Sequence, residues 1–314
     1  MPRWGHSDGT TCHDGRMSAL VVLLVGLAAG IVVRRRIHPP PAATAVVNTW
    51  LLDIALPALV LHAVHGIHFP DHLALVVAAP YLLFAVSSAL YLLAARVMHL
   101  PRQTVGALIA ATAVANTSFV GFPMVTAFYG ADDVPTAVLV DQLGSFLLVN
   151  TVVLMMVTVV AGAALPRAEL ARRVLTAPAL LALVSALVLR PVTFPQWLDD
   201  ALVSLGGTLT PLALFSIGMQ LEVPAARRYW RELGLGLAVK LVVAPALVVG
   251  LYALAGGLGD HSVTIALFET AMPPMVTGAL LAARHDLATP LPSLLVGVGV
   301  PLSLLTLPLW TLIL

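Results

Sequence analysis

Apolar runs long enough to be membrane helices recur along almost the whole chain, interrupted only by short polar breaks. A helix needs about 20 residues to cross the hydrocarbon core of a bilayer. Reading the runs and the residues that break them predicts ten spans, at 18–33, 43–65, 73–95, 105–129, 136–161, 176–194, 200–221, 233–255, 261–283 and 290–313. No connecting segment has room for a soluble domain. The pattern predicts an all-α polytopic membrane protein.

Arginines alternate with the spans. The first, third, fifth, seventh and ninth loops carry Arg34, Arg35, Arg36; Arg96, Arg102; Arg167, Arg172, Arg173; Arg227, Arg228, Arg231; and Arg284. The even loops contain Arg190 alone, with Asp71, Asp132, Asp133, Asp199, Asp200 and Asp260. Positive loops stay cytoplasmic, so both termini are expected outside. A five-span unit crosses an odd number of times, and a second copy of it must run inverted. This organises the chain as a polar tail (1–17), a first five-helix repeat (18–161), a cytoplasmic linker (162–175) and a second, inverted repeat (176–314). Two sequence pairs point to duplication: PMVT at Pro123 and again at Pro274, and Pro57 in LPALVL with Pro211 in TPLALF.

Composition sharpens the class. The chain is 60% hydrophobic and 10% charged with a mean hydropathy of +0.99, against roughly 25% charged in a soluble domain. A net charge of +1 gives no support to nucleic-acid binding. Cys12 is the only cysteine, which excludes an intramolecular disulfide and a cysteine-based metal site. The polar start holds Arg3, His6, Asp8, His13, Asp14 and Arg16, and the first span runs into three arginines instead of a cleavage site, so it reads as a retained helix.

The candidate chemistry lies where spans four and nine are interrupted. Proline lacks a backbone donor and clashes with the preceding turn, so Pro123 and Pro274 are expected to break these helices near mid-membrane. A packing kink is the plain alternative. Proline also suits the first turn of a restarted helix. Span four runs outward and span nine inward, so the restarted N-termini could face each other and offer free amides and positive dipole ends to a carboxylate. Gly121 allows close backbone approach, and Asn116, Thr117 and Ser118 supply polar groups, unless they serve helix-to-helix hydrogen bonding.

Glu269 falls at mid-depth of the ninth span, where an ionisable group is a functional candidate. It is expected to carry a coupling proton or help bind a cation, with a structural carboxyl as the alternative. Asp141 and Gln142 open span five on the outer side, where Asp141 either lines the path or answers its own helix dipole. Asp53 lies within span two. Lys240, the only lysine, is expected to snorkel from the cytoplasmic end of span eight, with a substrate counter-ion as the alternative. His62, His65, His68, Asp71 and His72 resemble a metal cluster but fall at an interface where histidines need no metal. GLGLAVK at Gly234 lacks the phosphate-loop motif and its strand context. No nucleophile elbow or protease motif appears, so no enzyme and no resident cofactor or metal are expected.

The strings NTSFVGFPMVTAFYG, DQLGSFLLVN, LALFSIGMQL and ETAMPPMVTGALLA, in that order, resemble the auxin efflux carrier family in its bacterial permease branch. The likeness covers the chain beyond its N-terminal tail. It implies ten spans in two inverted five-helix repeats, with spans 1, 2, 6 and 7 as scaffold and spans 3–5 and 8–10 as the moving transport part. Broken helices four and nine would cross at a site containing Asn116, Gly121, Pro123, Pro273 and Pro274, with Glu269 just before the second break. Bile-acid carriers of similar fold place a ninth-span carboxylate among sodium ligands. The long hydrophilic middle loop of plant auxin exporters is absent, and under the PMVT register Leu267 stands opposite Asn116, so the halves are not chemically symmetric.

The function implied is a secondary transporter in a bacterial cytoplasmic membrane, moving a small organic anion by elevator-like alternating access. Dicarboxylates such as malate or malonate, and indole-acetate-like acids, fall within the family's range. Coupling to H+ or to Na+ stays open, as does a membrane receptor or scaffold that binds without transporting. Membrane lipid and a second copy docked through the scaffold are the partners expected.

Overall fold

In lipid every backbone polar group must be satisfied within the chain, and helices do this segment by segment. The structure, a computed structural model, describes residues 9–67, 69–163, 166–220 and 229–314. Arg3, His6, Asp8, His68, Arg227 and Arg228 lie outside the described residues. Those described form helices and, in place of any strand, one isolated bridge.

In chain order the helices are α1 (Gly9–Ile37), α2 (Ala42–His65), α3 (Leu73–Met98), α4 (Arg102–Thr112), α5 (Thr117–Phe128), α6 (Ala131–Val160), α7 (Arg167–Leu175), α8 (Pro178–Val188), α9 (Gln196–Gln220), α10 (Trp230–Leu254), α11 (His261–Thr270), α12 (Val276–Arg284) and α13 (Leu291–Ile313). Among the described residues α2, α3, α6, α9, α10 and α13 are each long and apolar enough to cross a membrane. The pair α7–α8, bent by 57°, would make a seventh. The stretches expected at 105–129 and 261–283 are divided, into α4 with α5 and α11 with α12.

The helices gather into two groups. α1 packs along the second half of α9, and α8 and the first half of α9 pack on α2. α3, α6, α10 and α13 surround the divided stretches. Large apolar side chains such as Leu92, Leu93, Val97, Leu254, Leu305 and Leu312 point outward. A lipid surround makes that exposure inexpensive, because lipid tails are as apolar as leucine.

Three of the prolines inside these helices follow widened turns. A π turn closes with i→i−5 bonds instead of i→i−4. Such turns at Leu51–Ala55, Thr117–Gly121 and Val239–Val243 each end two residues before a proline: Pro57, Pro123 and Pro245. The first two are closed by Leu56 N–H to Leu51 O and by Phe122 N–H to Thr117 O, the third by Ala244 N–H to Val239 O. Shifting the register by one residue relieves the proline's missing donor and its clash with the preceding carbonyl. The same turns hold Asp53, Thr117 with Ser118, and Lys240, so the helix geometry is irregular where the polar groups sit. A further π turn, Asp141–Ser145 in α6, carries Asp141.

Candidate functional site at the helix crossing

α4 ends at Thr112 and α5 begins at Thr117; α11 ends at Thr270 and α12 begins at Val276. The two breaks lie against each other. Ala115 and Pro274 form an antiparallel bridge, Asn116 N–H donates to Pro273 O at 3.0 Å, and Met275 N–H donates to Ala111 O at 2.8 Å. Each extended segment thus satisfies backbone groups that the other helix break would leave open.

The first break falls at 113–116 and not at Gly121 or Pro123, which correct the expectation for span four. The π turn accommodates Pro123 without interrupting the chain, whereas Pro273 and Pro274 do lie within the second break. The two PMVT copies are therefore not equivalent: Pro123 is inside α5, and Pro274 stands just ahead of Met275, the N-cap of α12.

The polar residues converge here. The Asn116 side-chain oxygen caps α5 by accepting from Phe119 N–H at 3.3 Å, and its amide nitrogen, buried, has no partner. Thr117 Oγ1 and Ser118 Oγ donate to Asp141 Oδ1 at 2.5 and 2.6 Å, and Gln142 Nε2 donates to Asp141 Oδ2 at 2.8 Å. Asp141 and Gln142 do not open their helix as expected. They lie ten residues or more inside α6, fully buried, so Asp141 answers the N-terminus of α5 instead of its own helix dipole.

Glu269, the penultimate residue of α11, is 0% exposed, and neither carboxyl oxygen has a hydrogen-bond partner. Gly121 faces it: a Cβ there would collide with both of those oxygens. Asn116, Thr117, Ser118, Gly121, Asp141, Gln142, Glu269, Pro273 and Pro274 are thus brought to one place, with Pro123 buried a turn further along α5.

Lys240 also comes close. It does not snorkel: it is 0% exposed, and its Nζ donates to Thr270 O at 2.9 Å. The signal that could have found it is the mid-helix Pro245 five residues on, which marks the π turn holding Lys240.

A cavity of about 410 Å³ adjoins the crossing, lined by Asn116, Ser118, Asp141, Arg173, Val276 and Thr277. A second, of about 840 Å³, is lined by Arg34, Asp53, Gln220, Thr277 and Arg284. Asp53, Phe119, Val276 and Thr277 border both. The two restarted N-termini differ at this surface. That of α5 has Asp141 hydrogen-bonded to its first residues, whereas α12 has no side-chain cap and presents Val276 and Thr277 to the cavities.

The histidines at the end of α2 have other partners. His62 Nδ1 lies 2.7 Å from Asp199 Oδ1, and His65 Nε2 contacts the carbonyls of Leu189 and Val192 while its ring stacks on Phe194.

A protein described as an uncharacterized transporter, from the archaeon Methanothermobacter thermautotrophicus, is 24% identical over 302 residues, covering 95% of this chain and 97% of its own. The family profile described as membrane transport protein matches residues 17–311. That match takes in every helix of the crossing, and the chain belongs to this family of membrane transport proteins, the one that includes the auxin efflux carriers.

Proposed function

We propose that the chain is a secondary transporter that carries a small organic anion, a carboxylate, across the cytoplasmic membrane by elevator-like alternating access. The observation that carries the reading is the uncapped N-terminus of α12, facing a water-accessible cavity beside the unpartnered amide nitrogen of Asn116. Backbone N–H groups at a helix start favour negative charge, and a carboxylate there would gain both the dipole and the Asn116 donor. Arg34, Arg173 and Arg284 border the cavities and raise the local concentration of anions.

By the positive-inside rule those arginines mark the cytoplasmic side, so this is an inward-open arrangement with both termini outside. Ten spans in two inverted five-helix repeats account for the alternation of arginine-rich loops. The packing of α1, α2, α8 and α9 as one group and of the remaining membrane helices as another supports a fixed scaffold and a moving part. Glu269, buried against Gly121 beside the site, is the group to carry a coupling proton.

Uptake of radiolabelled small carboxylates into proteoliposomes tests the proposal. A hydrogen bond to a charged group contributes about 1.5–3 kcal/mol, so Asn116→Ala is expected to cut the initial rate roughly ten- to hundredfold. Saturable carboxylate binding without flux would replace the transporter by a receptor. Wild-type flux in Asn116→Ala would remove Asn116 from the site.

A further inference from the structure

The end of α11 poses a problem that Lys240 solves. A helix leaves its last four carbonyls without intrahelical partners. Those of α11 are all accounted for: Leu267 O accepts from Thr270 Oγ1, Phe268 O from Ala271 N–H, Glu269 O from Met272 N–H, and Thr270 O from Lys240 Nζ. Three partners come from the next residues along the chain. The fourth comes from a different helix and is a cation.

That place favours a cation for two reasons. The carbonyl end of a broken membrane helix carries partial negative charge and is where transporters of this architecture coordinate alkali ions. Next to it, Glu269 holds a fully buried carboxyl with no hydrogen-bond donor, and the charged groups that act on it are Asp141 and Lys240. Without the ammonium, two carboxyls would share this buried volume with no compensating charge. No ion pair within 4 Å joins Lys240 to Glu269 among the described residues, so the ammonium is held by the carbonyl and acts on the carboxyl from beyond that distance.

We propose that Lys240 is a tethered counter-cation: its ammonium stands where a coupling Na+ would bind, on the last carbonyl of α11 next to Glu269. The carrier therefore works without Na+, and a site for an alkali ion, formed by Thr270 O and the Glu269 carboxylate, opens only when the ammonium is removed. The consequence for coupling rests on the transport reading above; the ion binding itself does not.

The test is thermal unfolding of the full-length chain in detergent, in NaCl, KCl and choline chloride of equal ionic strength. The variants are Lys240→Met, Lys240→Gln, and Lys240→Met combined with Glu269→Gln. Wild type is expected to melt at one temperature in all three salts. Lys240→Met should melt lower in choline and rise saturably with Na+, by about 5 °C or more at saturation. Lys240→Gln keeps a donor for Thr270 O but not the charge, and should respond to Na+ as well. The double variant, with both charges gone, should melt above Lys240→Met in choline and ignore Na+.

A saturable Na+ shift in wild type would overturn the proposal, since the site would then be free to bind the ion. So would a Lys240→Gln protein that is indifferent to Na+ and as stable as wild type, which would reduce Lys240 to a helix cap. Should Lys240→Met not fold, the wild-type titration and the double variant still decide, because recovery of folding on adding Glu269→Gln is expected only if charge balance is at stake. Absence of carboxylate flux would count against the transport reading and leave these cation shifts as expected.

Discussion

Two glycines at the crossing make opposite predictions when each is replaced by alanine. The nearest atoms to a Cβ at Gly121 would be those of the carboxyl end of the Glu269 side chain. One at Gly278 would collide with the carbonyl oxygen of Ala110, which belongs to the backbone of α4. A carboxyl group can swing aside, whereas moving Ala110 O means parting α12 from α4. Overpacking costs about 1–3 kcal/mol, and replacing a helical glycine by alanine returns about 1 kcal/mol through propensity.

Gly121→Ala, at the low end of the steric cost, should come out near neutral. Gly278→Ala, at or beyond the high end, should lose about 2 kcal/mol or more, which is about 4–8 °C of apparent melting temperature at roughly 2–4 °C per kcal/mol. Function should reverse the order of severity. Displacing the Glu269 carboxyl should lower carboxylate flux and alter its pH dependence in Gly121→Ala even though the protein is stable. Fluorescence-detected melting of both variants in one detergent, with flux in proteoliposomes, decides. Equal destabilisation of the two, or a Gly121→Ala protein with wild-type flux and pH profile, would refute the assignment of Gly121 as the seat of Glu269.

Further outcomes follow from the same geometry. Thr117→Val with Ser118→Ala removes two of the three donors to Asp141; at about 1.5–3 kcal/mol per charge-assisted bond, the apparent melting temperature should fall by about 6 °C or more, and adding Asp141→Asn should recover part of it. An unchanged melt would show that Asp141 does not depend on these hydroxyls. In a Cys12→Ser background, Ala115→Cys with Pro274→Cys should cross-link on mild oxidation, because opposed residues of an antiparallel bridge lie about 4.5–5.5 Å apart, within the roughly 4.4–6.8 Å that a disulfide spans. On the proposed division into scaffold and moving part both breaks travel together, so the cross-linked protein should still transport; loss of flux on oxidation, restored by reductant, would contradict movement as one body.

The sequence carries the helices and much of the site, but not its depth. Long apolar runs fix where helices form, and Pro273 with Pro274 marks the second break because two successive residues without N–H cannot continue a helix. Pro123 misplaces the first break by several residues, since a π turn lets the chain pass it intact; what ends α4 is the pairing of its break with a segment about 160 positions away. That pairing, of Ala115 and Asn116 with Pro274 and Pro273, is a tertiary contact with no local signature. Asp141 reads as a helix start from its neighbours, yet α6 begins earlier, at Ala131, and the residue is buried by its bonds to Thr117 and Ser118. Lys240 reads as a snorkelling residue from its distance to the end of the run. Its burial depends on a carbonyl thirty residues on, freed by a break in another helix. A charge a few residues ahead of a mid-helix proline, seen at Asp53 and Pro57 and again at Lys240 and Pro245, is the pattern that could have marked both.

The claim on which the account turns is that an anion sits at the open N-terminus of α12. Thr277 lines both cavities, so in a Cys12→Ser background Thr277→Cys reports on that place directly. The measurement is its rate of alkylation by a membrane-impermeant maleimide in inside-out vesicles, with and without a mixture of small carboxylates. The account expects ready labelling that carboxylates slow and that neutral amides of the same size do not. Labelling indifferent to every carboxylate, or no labelling at all, would contradict it.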